Sequence, residues 1–262
     1  MPRIDPGLMP VVVDLERGLR ELSIPFGIVG ALVPELTLEA RPHRMTNDVD
    51  VTVVVQSLAA FATLKKNLAT YGFTTAQAPH RMTHRSGGVL DILPFSEGIS
   101  PGERLQLEDG RVLNMAGFRH VVPNAVSTPI DGGPALPLAP LSLYALLKLV
   151  AFSDRQAPKD LAGVLHCLEH YCEADDRRYG LEHDGRAVPY EYTSAYLLGT
   201  DARPFLDESV TQSVAAVLAR FADQDADVVG IVARERGRML IDDRDRVDIF
   251  ERFRWYRLAI TL

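Results

Sequence analysis

Residues 26–55 read FGIVGALVPELTLEARPHRMTNDVDVTVVV, and their pattern sets the terms for the rest of the chain. An apolar strand entry (Phe26, Ile28, Val29) runs into Gly30-Ala31, then a short helix-compatible segment over 31–40, limited by Pro34, and a basic turn of Arg41, His43 and Arg44. The strand from Asp48 to Val55 follows. Strand side chains alternate faces, so Val49, Val51, Val53 and Val55 form one β-branched face that requires a core. Asp48, Asp50 and Thr52 occupy the other. Two carboxylates side by side on such a strand raise each other's pKa. A hard divalent cation, Mg²⁺ or alternatively Mn²⁺, removes that repulsion by taking carboxylate oxygens.

The chain of 262 residues has room for two modest domains or one large one, and its 47% apolar and 24% charged composition is that of a globular protein. No apolar run reaches bilayer-spanning length, and the first residues lack a signal-peptide pattern. Cys167 and Cys172, five apart in an expected helix, point in different directions, which argues for a reducing, cytoplasmic setting and against a disulfide scaffold. A net charge of −7 gives no global attraction to nucleic acid, so any such contact requires a local basic patch.

Periodicity places a helix over Val11–Leu22, and Pro25 forces the extended entry after it. Leu58–Tyr71 is a second helix, with Leu58, Phe61, Leu64, Leu68 and Tyr71 on one face and Gly72 as its stop. Strands are expected at Thr74–Gln77, His80–His84 and Val89–Leu93, the last closed by Pro94. Glu108-Asp109-Gly110 joins Arg104–Leu107 to Arg111–Leu113 as a hairpin. Ile130-Asp131-Gly132-Gly133 precedes a strand at Ala135–Leu138. Pro134, Pro137 and Pro140 then mark a boundary. Beyond it the chain is mainly helical, with stripes at Leu141–Phe152, Lys159–Asp175, Glu208–Ala222 and Val247–Ile260 and a polar loop at Asp176–Glu191. The expected architecture is α+β: a mixed sheet with flanking helices over residues 1–140, followed by a helical domain over 141–262 that closes a cleft.

Gly30-Ala31, the run Arg44-Met45-Thr46-Asn47-Asp48-Val49-Asp50 and Asp91 in an apolar strand resemble the nucleotidyltransferase fold shared with DNA polymerase β. With Lys148, Arg155, Lys159 and Asp160 added, the set is similar to the AbiEii-type nucleotidyltransferases, which include toxins of toxin–antitoxin pairs. The resemblance spans roughly residues 26–165. It implies transfer of a nucleoside monophosphate from an NTP to an acceptor hydroxyl with release of pyrophosphate. The acceptor would be RNA (a tRNA end among them), a protein or a small molecule, and an antitoxin protein would be a partner. Asp48, Asp50 and Asp91 would be the catalytic and metal-holding carboxylates, with Asp91 the third ligand or general base. Gly30, Ala31, Arg44, Thr46, Lys148 and Arg155 would bind the nucleotide, and Lys159 and Asp160 would support the helix, Asp160 as an ion pair. Two departures stand out: Ala31 replaces a glycine or serine, and Gly163 stands where related chains often carry an aspartate. They leave room for a different class of function, a nucleotide-binding or protein-interaction module without turnover.

Bland alternatives accompany the remaining charged clusters. His166 and His170, four apart with Cys167 and Cys172 nearby, have the look of a zinc half-site but no evident further ligands, and are read as core or interface histidines. His80, Arg81, His84 and Arg85 could meet phosphates, but are read as a solvated or hairpin face. The arginines at 234–238 and 252–257 alternate with acids and are read as self-paired.

Overall fold

The computed structural model describes residues 4–40, 46–172, 175–180, 182–235 and 242–261. The chain forms two compact units: Met1–Thr37 with Arg44–Pro140, and Leu38–His43 with Leu141–Leu262. The first contains helices α1 (Met9–Glu21), α2 (Leu32–Thr37) and α3 (Leu58–Leu68). Its strands are β1 (Phe26–Val29), β2 (Asp48–Val54), β3 (Phe73–Thr75), β4 (Arg81–His84), β5 (Val89–Phe95), β6 (Arg104–Gln106), β7 (Val112–Asn114), β8 (Val126–Thr128) and β9 (Leu136–Leu138). β6 and β7 form the expected hairpin, turning at Gly110 with φ +83°. The other seven strands make one mixed sheet in the order β3-β4-β5-β2-β1-β9-β8, with β2/β5 and β1/β9 parallel.

Patterning explains the centre of that sheet. Val49, Val51 and Val53 are fully buried, in one cluster with Val11, Leu15 and Leu19 of α1, Phe61, Leu64 and Leu68 of α3, and Leu90 and Ile92 of β5. Each such side chain contributes roughly 1.5–3 kcal/mol on burial, which fixes the register of β2, since a one-residue slip would turn the valines to the opposite face. Ser57 caps α3 by accepting from the Ala60 amide at 3.1 Å. Gly72, at φ +91°, ends the short 3₁₀ extension of that helix.

Two expectations change, and one strand was not expected. Pro94 does not close β5; it lies within it, opposite Val53 of β2. The pairing of β4 with β5 stops at Asp91, so the outer side of Pro94 needs no ladder donor. The helix expected over Lys159–Asp175 ends at His170, and Cys172 sits beyond it at φ +57°. The edge strand β8 carries no clear alternation, and Val126 is 56% exposed.

The second unit holds α4 (Leu141–Arg155), α5 (Pro158–His170), α6 (Thr193–Ala202), α7 (Glu208–Leu218), α8 (Asp227–Glu235) and α9 (Asp243–Ile260). Asp207 and Asp242 cap α7 and α9 through the amides of Val210 and Asp245. Phe221 stacks on Phe253 of α9 at 3.9 Å between ring centres. α6 leaves no stripe to read, being buried on nearly every side. Its Gly199 allows close approach to α9: a β-carbon there would stand 2.6 Å from the Ala259 methyl and 2.7 Å from the Tyr256 carbonyl oxygen. No helix among the described residues is long and apolar enough to cross a membrane.

Two outcomes follow from this packing. Gly199→Ala should destabilise the second unit by about 1–3 kcal/mol through overpacking, read as a lowered urea midpoint with an unchanged m-value. Asp14 of α1 accepts from His84 at 3.1 Å, Arg85 at 2.7 Å and Arg17 at 2.8 Å. Burial pushes its carboxyl up, but the hydrogen bonds from His84 and Arg85 and the charges of Arg85 and Arg17 outweigh that and hold it below the usual range. Its stabilisation is therefore complete above the unfolded carboxylate pKa of about 3.9 and lost as pH falls through the lower folded value. Asp14→Asn should flatten the acid limb, below about pH 4, of a melting-temperature profile taken from about pH 6 to about pH 2.

Candidate functional site

The sheet register assembles the carboxylates. β2 and β5 run parallel with Asp50 opposite Asp91, β1 places Val29 opposite Asp50, and β4 places Arg81 opposite Asp91. Laterally paired residues share a face, so Asp50, Asp91 and Arg81 form a row across three strands. Asp48 lies two residues before Asp50 on that face, and all four are half-buried.

Each carboxylate has its own holder. The Thr46 hydroxyl donates to Asp48 Oδ1 at 2.6 Å. Asp50 packs against Gly30, whose φ is +73° and where a β-carbon would fall 1.9 Å from Asp50 Oδ2. Glycine is thus required at position 30 twice over, for its backbone angle and for the space it leaves to a carboxylate. α2 begins two residues later, and Ala31 between them is half-buried.

Asp91 is gripped by Arg81, with Nε at 2.8 Å from Oδ1 and Nη2 at 2.7 Å from Oδ2. This two-pronged pairing raises the guanidinium pKa above its ordinary value, against the cost of burial and with help from the charges of Asp48 and Asp50. His80 Nε2 lies 4.0 Å from Asp91 Oδ1. Burial holds that imidazole below its usual range, the attraction of Asp91 opposing and the charges of Arg111 and Arg81 adding to the effect.

Arg81 is the residue that sequence reasoning passed over as part of a solvated run. The remainder of that run is also tied down, His84 and Arg85 both on Asp14. A signal for Arg81 was present: the turn at Ser86-Gly87-Gly88 folds β4 onto β5, and Arg81 and Asp91 stand equally far from Ser86.

As a donor set, three carboxylates on one face suit a hard divalent cation in kind. Among the described residues, the three side chains whose donor atoms lie within 4.8 Å of one another are His166, Glu169 and His170. His166 and His170, read from the sequence as core or interface histidines, thus have a third possible donor beside them, Glu169, that the sequence reading did not name, while His166 Nε2 lies 3.1 Å from the Ala40 carbonyl oxygen. Burial pushes the Cys172 thiol up to about 11 and the Cys167 thiol higher still, so neither is poised as a thiolate.

Arg44, with Arg41 and His43, lies outside the described residues. In the second unit, Lys148 Nζ is 3.4 Å from Asp160 Oδ1, and Arg155 reaches both Asp160 oxygens at 2.5 and 2.7 Å. Asp160 is 0% exposed. Lys148 and Arg155 are thus anchored to one buried carboxylate, and Lys159 is exposed beside it. Gly163 has a steric reason: a β-carbon there would stand 2.7 Å from the Tyr144 hydroxyl, so an aspartate would not fit without moving that ring.

The chain is similar to an antigenic nucleotidyltransferase-like protein from Paracoccidioides brasiliensis, at 17% identity and a TM-score of 0.48 over 88% of this chain and 94% of that one. It is also similar to the antibiotic-resistance factor ANT(2'')-Ia, at 15% identity and a TM-score of 0.43 over 84% and 95% of the two chains. A third neighbour is the CdnE cyclic dinucleotide synthase of Elizabethkingia meningoseptica, at 12% and 0.35 over 98% and 95%. Its structural neighbours are nucleotidyltransferase-like. At these values the likeness carries no argument and gives no residue a role. No family model matches the sequence, and no curated protein does.

Removing the charge from Asp160 leaves Lys148 and Arg155 without their buried anion. Asp160→Asn should cost about 3 kcal/mol, the lower end for breaking a buried pair because Arg155 is half exposed. Chemical denaturation of the full chain measures it.

Proposed function

We propose that the protein transfers a nucleoside monophosphate from an NTP to an acceptor hydroxyl. The observation that carries this is the pairing of Asp50 with Asp91 across β2 and β5, on the face that also presents Asp48, with Gly30 at the neighbouring turn. A divalent cation such as Mg²⁺ would supply charge neutralisation of the triphosphate and polarisation of the reacting oxygens when bound. Asp48 and Asp50 would hold it, with Thr46 fixing the rotamer of Asp48. Asp91 would be the third ligand, or would accept the proton of the attacking hydroxyl. The small residues Gly30 and Ala31 would let phosphates approach the backbone. Arg44 keeps in this proposal the phosphate-binding role its charge suits, while Lys148 and Arg155, expected to share it, are anchored on Asp160 within their own unit.

The finer proposal is membership of the AbiEii-type family as a toxin, with RNA, a tRNA end among them, as acceptor; a protein or small molecule is the alternative. Its test is whether the neighbouring reading frame encodes a small protein that co-purifies with this chain and silences it. A second reading, a nucleotide-binding module without turnover, draws on one observation: both Asp91 oxygens already accept from a side chain of the protein, Arg81.

One experiment separates the two. With labelled NTPs, Mg²⁺ and total RNA or cell protein, the enzyme labels an acceptor and releases pyrophosphate. Asp48→Asn/Asp50→Asn should reduce labelling by at least about a hundredfold, the scale of removing one transition-state stabilising group, with the melting temperature little changed. Metal-independent NTP binding with no pyrophosphate would leave only the module.

A further inference from the structure

Neighbouring carboxylates Asp50 and Asp91 are held from opposite directions. Asp50 lies against Gly30 at the end of β1, while Asp91 is held from the other side by Arg81 of β4. Each Asp91 oxygen already accepts one N–H of the Arg81 fork, so a cation that approaches Asp91 from that side must displace the guanidinium. We propose that Arg81 is a positioning residue that competes with a divalent cation for Asp91, an inference that rests on the nucleotidyl-transfer reading above. The guanidinium offsets the repulsion of the adjacent carboxylates and holds Asp91 turned from Asp50. Metal entry releases it, and Asp91 then joins Asp48 and Asp50.

The surroundings suit exchange rather than permanent pairing. The Arg81 side chain is 42% exposed and that of Asp91 13%, so water receives the guanidinium as it leaves. The pair formed by Arg155 on Asp160 differs: its carboxylate is wholly buried and gains no solvent when the pair opens. The pair is only part-buried, and a cation with two charges can outbid it. Arg81 thereby sets the metal concentration at which the third carboxylate is recruited.

The test is Mn²⁺ binding to the full chain without nucleotide, read from the loss of the free-ion paramagnetic resonance signal, together with melting temperatures with and without Mn²⁺. Arg81→Gln should bind Mn²⁺ more tightly by on the order of tenfold, a coupling of ordinary size between contacting groups. It should also melt lower without metal and gain more on adding it. Arg81→Lys, which keeps the charge and loses the fork, should tighten binding by a smaller factor. It also serves as the measure if Arg81→Gln does not fold. In an Asp91→Asn background the gain should vanish. Unchanged or weaker binding in both Arg81 variants overturns the inference. So does a gain that persists with Asp91→Asn, because that is only the removal of a nearby charge. Asp50→Asn separates the levels. If it binds Mn²⁺ as the unaltered chain does, the nucleotidyl-transfer reading fails; if it loses Mn²⁺ while Arg81→Gln changes nothing, only the role of Arg81 fails.

Discussion

Like charges on adjacent strands are the constraint around which the first unit is built. β2 must bury Val49, Val51 and Val53, and doing so commits Asp48 and Asp50 to the opposite face. β5 obeys the same rule through Leu90 and Ile92, which turns Asp91 to that face as well. Hydrophobic burial of the valine face therefore creates the electrostatic problem, and its strength, several side chains at roughly 1.5–3 kcal/mol each, keeps the carboxylates where they are. The protein answers locally. A threonine hydroxyl serves Asp48, a glycine turn makes room for Asp50, and an arginine on the next strand serves Asp91.

The second unit solves a related problem differently. α4 is apolar along most of its length, and Lys148 is placed within it, directed to a carboxylate that has no contact with water. Asp160 draws Arg155 to the same point, so two cations and one anion close the turn between α4 and α5. Burial of this kind is costly unless every partner is present, which ties the geometry of these helices to three residues close in sequence. Gly163 belongs to the same arrangement, because the space it leaves is filled by Tyr144, whose ring lies 5.6 Å from Lys148 Nζ.

Much of this was legible from local pattern. The valine alternation in β2, the glycine stop at Gly72 and the Asp-Gly hairpin each depend on backbone preferences that act over a few residues. Pro94 misled because its cost depends on which neighbouring strand reaches it, and β4 ends first. α6 was not visible because a helix covered on all sides has no polar stripe to set its period. The C-terminal end of α5 was overrun because helical periodicity continues past a turn that only the left-handed backbone at Cys172 reveals.

By itself the sequence determined which side chains share a face, since period-two alternation on β2 and β5 follows from strand geometry alone. It determined that Gly30 precedes a tight turn and that Asp48, Asp50 and Asp91 are the carboxylates set in apolar strands. Tertiary structure decided the order of strands, which put Asp50 beside Asp91 and Arg81 beyond it. It also decided that the first countercharge on Asp91 comes from the chain: the turn at Ser86 offers a register, but only the paired strands set Arg81 against Asp91.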